Sequence, residues 1–224
     1  MSRLIILSIN EFYHIYNRGS DKRKIFSSHY DYERFLILLY LCNSTNSVRI
    51  NMQRQSAEEL LKTDIGKTLV DIGAYCLMPN HFHLLLHEKT ENGISLFMQK
   101  LTTAYTMYFN KKYDRSGGLF QGTYKAKHAD SDIYLKYLFG YIHLNPVKLI
   151  EPTWKEKKIK NRIQAEKFLE KYQYSSYPEY TNKKRKEGVI IQNEAFPDYF
   201  DKISDFSEMI RFWLEFNDNN NVQG

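Results

Sequence analysis

The chain has 224 residues, 42% hydrophobic and 26% charged, so it can bury a core and is not a disordered sequence. Lys and Arg exceed Asp and Glu by 32 to 26, a net charge of +6 with a pI of about 9.0, which favours a polyanionic partner. Two cysteines, Cys42 and Cys76, exclude a disulfide framework or a Cys-rich zinc site and suit a reducing cytoplasm. No stretch has the length of a membrane-spanning helix and the N-terminus lacks a signal-peptide cleavage region, so a cytoplasmic protein with no membrane partner is expected.

In chain order, Leu4 to Ile9 reads as a strand or its lead-in, and Phe12 to Asn17 (FYHIYN) alternates aromatic and polar residues as a strand does. A basic, Gly-containing loop, NRGSDKRKIF, follows. Asp31 to Cys42 places Phe35, Leu38, Leu39 and Cys42 at helical spacing. Residues 43–67 are polar, enclose a short helical AEELLK, and read as an insertion between core elements. Leu69 to Leu77 is a second strand, Met78-Pro79-Asn80 a turn, and the third strand begins at His81. Asn92 to Tyr113 is an amphipathic helix with Ile94, Phe97, Met98, Leu101, Ala104, Tyr105 and Tyr108 on one stripe. The loop RSGGLFQG leads to a fourth strand, TYKAKHA. Asp130 to Leu144 is then a helix with acidic residues at its start and Pro146 just past its end.

This order is the βαββαβ pattern of a ferredoxin-like α+β sandwich with an antiparallel sheet, to which a further helix is appended. Residues 1–150 are expected to form this unit. Residues 151–224 form a C-terminal extension with a Lys-rich stretch, SSYPEY, a KKRKEG charge run, a last helix around Phe206 to Phe216, and a frayed NDNNNVQG end.

Two places carry chemistry. In MPNHFHLLL, His81 and His83 are two apart on a strand, so both imidazoles project from one face while Phe82 points the other way. In the last core helix, Tyr141 and Asn145 are four apart and share a face, extended by Tyr137 and Tyr134; Pro146 disfavours helical backbone at Asn145. Two imidazoles and an amide oxygen make three ligands for a divalent cation and leave positions for a phosphate oxygen. A cation there polarises a phosphodiester, and a tyrosine beside it can act as a covalent nucleophile. Each pair also has an ordinary structural reading, as core residues or a helix terminus. His87 lies on the face of His83 as a spare ligand near the strand end, and His143 points away from Tyr141. No general base is evident.

The blocks YHIYNRGSDKRKIF, DYERFLILL, AYCLMPNHFHLLL, YTMYFNKKYDRSGGLFQGTYKAK and YLFGYIHLNPVK occur in order from Tyr13 to Lys148. In this combination the chain resembles the single-tyrosine HUH transposases, especially the REP-associated tyrosine transposase branch; SSYPEY resembles a segment that often follows the core in such relatives. The resemblance implies that residues 1–150 are the catalytic domain, that His81, His83 and Asn145 bind Mg²⁺ or Mn²⁺, and that Tyr141 is the nucleophile. It further implies cleavage and rejoining of hairpin-forming single-stranded DNA through a 5′-phosphotyrosine, by a monomer or homodimer. A relaxase- or replication-initiator-like nickase and a hairpin-binding protein without strand transfer are the alternatives. Departures are Gly140, which either loosens the tyrosine helix or permits close packing, the length of the 43–67 insertion, and the poorly matched tail.

Basic residues supply a phosphate-binding rim. Arg18, Lys22, Arg23 and Lys24 cluster after the first strand; Arg115, Gln121, Lys125 and Lys127 flank the GGLFQG loop. Tyr124 and Phe120 are possible base-stacking rings, Phe120 also a core residue, and KKRKEG either grips backbone or is a solvated loop.

Overall fold

The computed structural model describes residues 6–46, 55–154, 157, 159–200 and 202–215. The first part of Leu4 to Ile9, Phe216 and the terminal NDNNNVQG lie outside them. Four antiparallel strands, β1 (Phe12–Arg18), β2 (Val70–Met78), β3 (His81–Glu88) and β4 (Lys125–His128), form one sheet in the order β2-β3-β1-β4. With α1 (His29–Leu41) between β1 and β2, and α3 (Gly93–Lys112) between β3 and β4, this is the predicted βαββαβ sandwich. The 43–67 segment contributes α2 (Ala57–Leu61). The appended helix is α4 (Asp132–Leu144), and the extension adds α5 (Arg162–Lys171), α6 (Tyr177–Tyr180) and α7 (Ile203–Glu215).

Of the two readings of Leu4 to Ile9, a strand or its lead-in, the described part is the lead-in. Residues 6–9 are coil and turn; Asn10, with a left-handed φ of 64°, then brings its N–H onto the Glu88 carbonyl, so the chain enters the sheet only at Phe12.

Alternation along the strands divides the interior in two. Tyr13, Ile15, Phe82, Leu84 and Leu86 face α1 and α3; the Ile94–Phe97–Met98–Leu101–Tyr105 part of the predicted α3 stripe is fully buried there. Ala74, Cys76, Met78 and Leu85 face the other way, against Leu135, Leu138, Phe139 and Ile142 of α4 and against Leu169, Tyr177, Phe206 and Ile210 of the extension.

Strand β2 is at the sheet's edge yet buried along its whole length. The extension covers it with backbone pairs. Leu77 donates to the Tyr174 carbonyl (2.8 Å), Ser176 donates to that of Tyr75 (3.0 Å), and Gln192 to that of Ile72 (3.0 Å). The Tyr75 amide, in turn, is received by the Ser176 hydroxyl oxygen at 2.9 Å. SSYPEY is thus the cover of an edge strand, whose open amides and carbonyls would otherwise pair with another chain. A register irregularity falls between Ile72 and Ala74, and Gly73 is required there, because a Cβ would lie 2.6 Å from the Phe196 ring.

In the KKRKEG run, Arg185 grips Glu179 and the Gln173 and Ser175 carbonyls, Lys183 reaches the Glu170 carbonyl, and Lys186 pairs with Glu33. Much of this run fastens the extension in place. Among the described residues no helix is long and apolar enough to cross a membrane.

Candidate active site

A cleft of about 390 Å³ opens where the C-terminal end of β1, the start of β3 and the end of α4 meet. The β2–β3 turn, Pro79 and Asn80, is held by the basic loop: Gly19 donates to the Asn80 carbonyl, while Ile25 and Phe26 donate to that of Pro79. His81 and His83 follow immediately on one face, as strand parity requires, with ring centroids 5.0 Å apart. Phe82 is buried on the opposite face.

Hydrogen bonds orient both imidazoles. Asn80 donates from Nδ2 to the Lys22 carbonyl (3.3 Å), which turns its Oδ1 toward His81 Nδ1 at 2.7 Å. A neutral His81 therefore carries its proton on Nδ1 and presents an unprotonated Nε2. His83 Nδ1 lies 2.8 Å from Nε2 of His14, on β1.

From the other side, α4 brings Tyr141. Ser131 caps the helix, its hydroxyl accepting the Tyr134 N–H. Tyr134, Tyr137 and Tyr141 form the predicted stripe, with successive ring centroids 5.8 Å apart. The Tyr141 ring stands edge-on to His83 and to His14, each at 5.6 Å. Burial, then the neighbouring Tyr16 phenol, push the Tyr141 phenol above the usual tyrosine range.

The expected break at Asn145 does not occur. Asn145 is helical (φ −53°, ψ −38°), and α4 runs on into a 3-10 turn, Asn145–Leu149, with Pro146 in its first turn, where a missing N–H costs nothing. The one-turn relation to Tyr141 therefore holds: Asn145 Nδ2 donates to the Tyr141 carbonyl at 2.7 Å. Its Oδ1 is buried without a hydrogen-bond partner while lining the cleft with the two histidines. An orphaned buried acceptor beside two imidazoles fits a divalent cation, which would satisfy it. Among the described residues no cluster of three or more His, Cys, Asp or Glu that could hold a metal ion is found.

The rim is cationic. Arg18, Lys22, Lys125 and Lys148 line the cleft, and none of the residues lining it is acidic. Two loops zipped together place these groups. Ser20 and Gln121 donate their amides to the Leu119 and Arg18 carbonyls, Asn17 Nδ2 reaches the Gly122 carbonyl, and Arg18 Nε bonds Gln121 Oε1.

The cleft gathers His81, His83, Tyr141, Asn145, Arg18, Lys22, Gln121 and Lys125 from the predicted set. Four others do not line it, the exposed Lys24 among them. Arg23 turns back on Asp21 and the Ser20 carbonyl, Arg115 packs over Phe109 and bonds Asn110, and Lys127 lies over the Tyr134 ring at 4.8 Å. Phe120 and Tyr124 instead line a separate groove against α3. His87 pairs with Asp71 at 3.0 Å, at the far end of its strand. His143, itself on α4, is buried on the side away from the cleft, bonded to Phe139 and Ser176; burial holds its pKa down at about 4.

Four cleft-lining residues and one contact were not predicted: Tyr16, Asn17, Asn80 and Lys148, with His14 behind His83. Strand parity held the signal for two of them. Phe12, His14, Tyr16 and Arg18 share a face, and pairing β1 with β3 sets Tyr16 opposite His83 and Arg18 opposite His81.

A ferredoxin-like sheet thus carries a histidine pair that faces a helix-borne tyrosine across a cleft whose Lys and Arg residues face no acidic lining residue. The chain belongs to the IS200-like transposases: residues 10–145, well over half of its length, match that family's model. Among solved structures it is similar to a REP-associated tyrosine transposase bound to a REP hairpin, at 12% identity, covering 92% of this chain and 94% of that one with a TM-score of 0.47. Among curated proteins, none matches it by sequence.

Proposed function

We propose that the protein is a metal-dependent transposase that cuts and rejoins hairpin-forming single-stranded DNA through a 5′-phosphotyrosine. The observation that carries this reading is the meeting of Tyr141, His81, His83 and the orphaned Asn145 Oδ1 in one cleft whose charged lining residues are all basic.

In this reading Tyr141 Oη bonds to phosphorus while the bond from phosphorus to the 3′ oxygen breaks. The phenol proton leaves Oη and a proton is taken up by the departing 3′ oxygen, leaving a free 3′-hydroxyl. Because a phosphodiester replaces a phosphodiester, rejoining needs no external energy source. Arg18, Lys22, Lys125 and Lys148 hold the backbone against the tyrosine by charge. Burial keeps the phenol protonated in the resting protein, so its proton has to leave as the bond to phosphorus forms. A divalent cation held by His81, His83 and Asn145 supplies charge neutralisation at the phosphate.

The test uses purified protein, end-labelled single-stranded hairpins from the flanks of its own gene, and Mg²⁺, Mn²⁺ or EDTA, resolved on denaturing gels. The expected result is a protease-sensitive covalent adduct that needs metal, is absent from Tyr141→Phe, and is reduced at least about 100-fold in His81→Ala. An undiminished adduct in Tyr141→Phe removes that residue from the role. A shifted hairpin with no adduct under any metal replaces strand transfer by binding alone.

A further inference from the structure

His14 has no role in the reading above, yet its ring is hydrogen-bonded to one member of the histidine pair and stacked on it. Both His14 and His83 are 6% exposed, and their rings stack at 5.0 Å with 23° between planes. The His14 ring also stacks on Tyr16 at 5.0 Å and meets the Tyr141 ring edge at 5.6 Å. It is thus packed on three sides by members of the site.

Between His14 Nε2 and His83 Nδ1, 2.8 Å apart, there is room for one proton. Its owner decides what His83 can do. If His14 donates, a neutral His83 carries its proton on Nε2, and that nitrogen has no lone pair for a cation. If His83 donates, its Nε2 is a ligand. His81 already stands in the second state, since Asn80 Oδ1 can only accept. A metal-ligating imidazole commonly donates its other N–H to an acceptor that fixes the ring and raises its basicity.

We propose that His14 is a positioning residue for the metal pair: its Nε2 accepts the Nδ1 proton of His83 and so holds the Nε2 lone pair of His83 ready for a divalent cation. The inference rests on the proposed role of His81 and His83 as ligands. It gives the two histidines matched orienting partners, a side-chain amide for His81 and a third imidazole for His83.

The test reads tautomers and affinity separately. In metal-free, ¹⁵N-histidine-labelled protein at about pH 8, where ordinary imidazoles are neutral, long-range ¹H–¹⁵N spectra are expected to show His83 protonated on Nδ1. His14→Leu removes the acceptor; the Nε2-protonated form of His83 should then gain population, and Mn²⁺ affinity measured by electron paramagnetic resonance should fall about 10–100-fold. His14→Gln restores an acceptor oxygen and is expected to keep the wild-type tautomer and most of the affinity. Hairpin binding in EDTA checks that each variant is folded. Wild-type His83 protonated on Nε2 overturns the proposal even if neither variant folds, as does unchanged Mn²⁺ affinity in His14→Leu. Wild-type protein that shows the Nδ1 proton but binds no Mn²⁺ overturns the metal reading of the cleft instead, leaving the hydrogen bond without that purpose.

Discussion

Asp31 is fully buried, and five groups donate to its carboxylate: Lys112 Nζ (2.6 Å) and Tyr108 (2.9 Å) to Oδ1, Tyr113 (2.7 Å) and the Ser27 and Ser28 amides (2.8 Å each) to Oδ2. Burial alone would raise its pKa, but Lys112, Tyr113 and the two amides outweigh it and bring it down to about 2. The unfolded chain therefore binds the proton first as the pH falls, so the stabilisation is complete well above the ordinary carboxylate value of 3.8 and is lost on acidification through about 2. Asp31→Asn should cost roughly 3 kcal/mol at neutral pH, by leaving Lys112 without its buried partner. In urea titrations the gap between variant and wild type should narrow between pH 4 and pH 2; a gap constant over that range would show that the charge on Asp31 is not what matters. At this scale legibility follows sequence distance. His81 with His83, and Tyr141 with Asn145, could be read because strand and helix periods are local. The Asp31 cluster joins DYERF to YFNKKY across about eighty residues, and Lys148 reaches the cleft only because α4 continues as a 3-10 turn past Pro146. No local period encodes either.

Helix α4 must present Tyr141 to the histidines while packing on its back against the extension, and Gly140 makes this possible. A Cβ on Gly140 would lie 3.0 Å from the Trp213 indole of α7, and Trp213 also meets Tyr137 at 5.0 Å. The two sequence readings of this glycine, loosening or close packing, are thus resolved by a helix more than sixty residues downstream: it is a packing notch. Alanine there would gain about 1 kcal/mol of helix propensity against a contact a few tenths of an ångström too tight. Valine leaves no such balance, and Gly140→Val is expected to destabilise by about 1–3 kcal/mol through overpacking. If the notch is the cause, Trp213→Ala should relieve part of that cost, giving a double-mutant cycle with a coupling of at least about 0.5 kcal/mol. Additive losses in thermal unfolding would mean that the valine acts elsewhere.

Across the whole molecule, the core order was legible because each core element has its own apolar period and turn residues, and β1, α1, β2, β3, α3 and β4 lie where those patterns place them. The extension's role was not, because it is attached through backbone amides and carbonyls of β2, and such pairs leave no trace in side-chain patterning. In sequence its serines and tyrosines carry only the resemblance of SSYPEY to a segment that often follows the core. In the fold, Ser176 bonds both β2 and the buried His143, Tyr172 donates to the Leu77 carbonyl at 2.6 Å, and Tyr180 donates to that of Gly73 at 2.6 Å. A chain ended after Trp154 would keep the βαββαβ order and every cleft residue but lose these partners. It would bare the β2 edge and the apolar face made by Ala74, Cys76, Leu135, Leu138 and Phe139. An open edge beside an exposed apolar face recruits other chains, so the truncated protein is expected to be aggregated or oligomeric, without a cooperative urea transition. A monomer on a sizing column with a sharp transition would show instead that residues 1–154 fold alone and that the extension is an accessory. The expected outcome makes the extension part of the machinery that holds Tyr141 against the histidines, since α4 has the sheet on one side and α7 on the other.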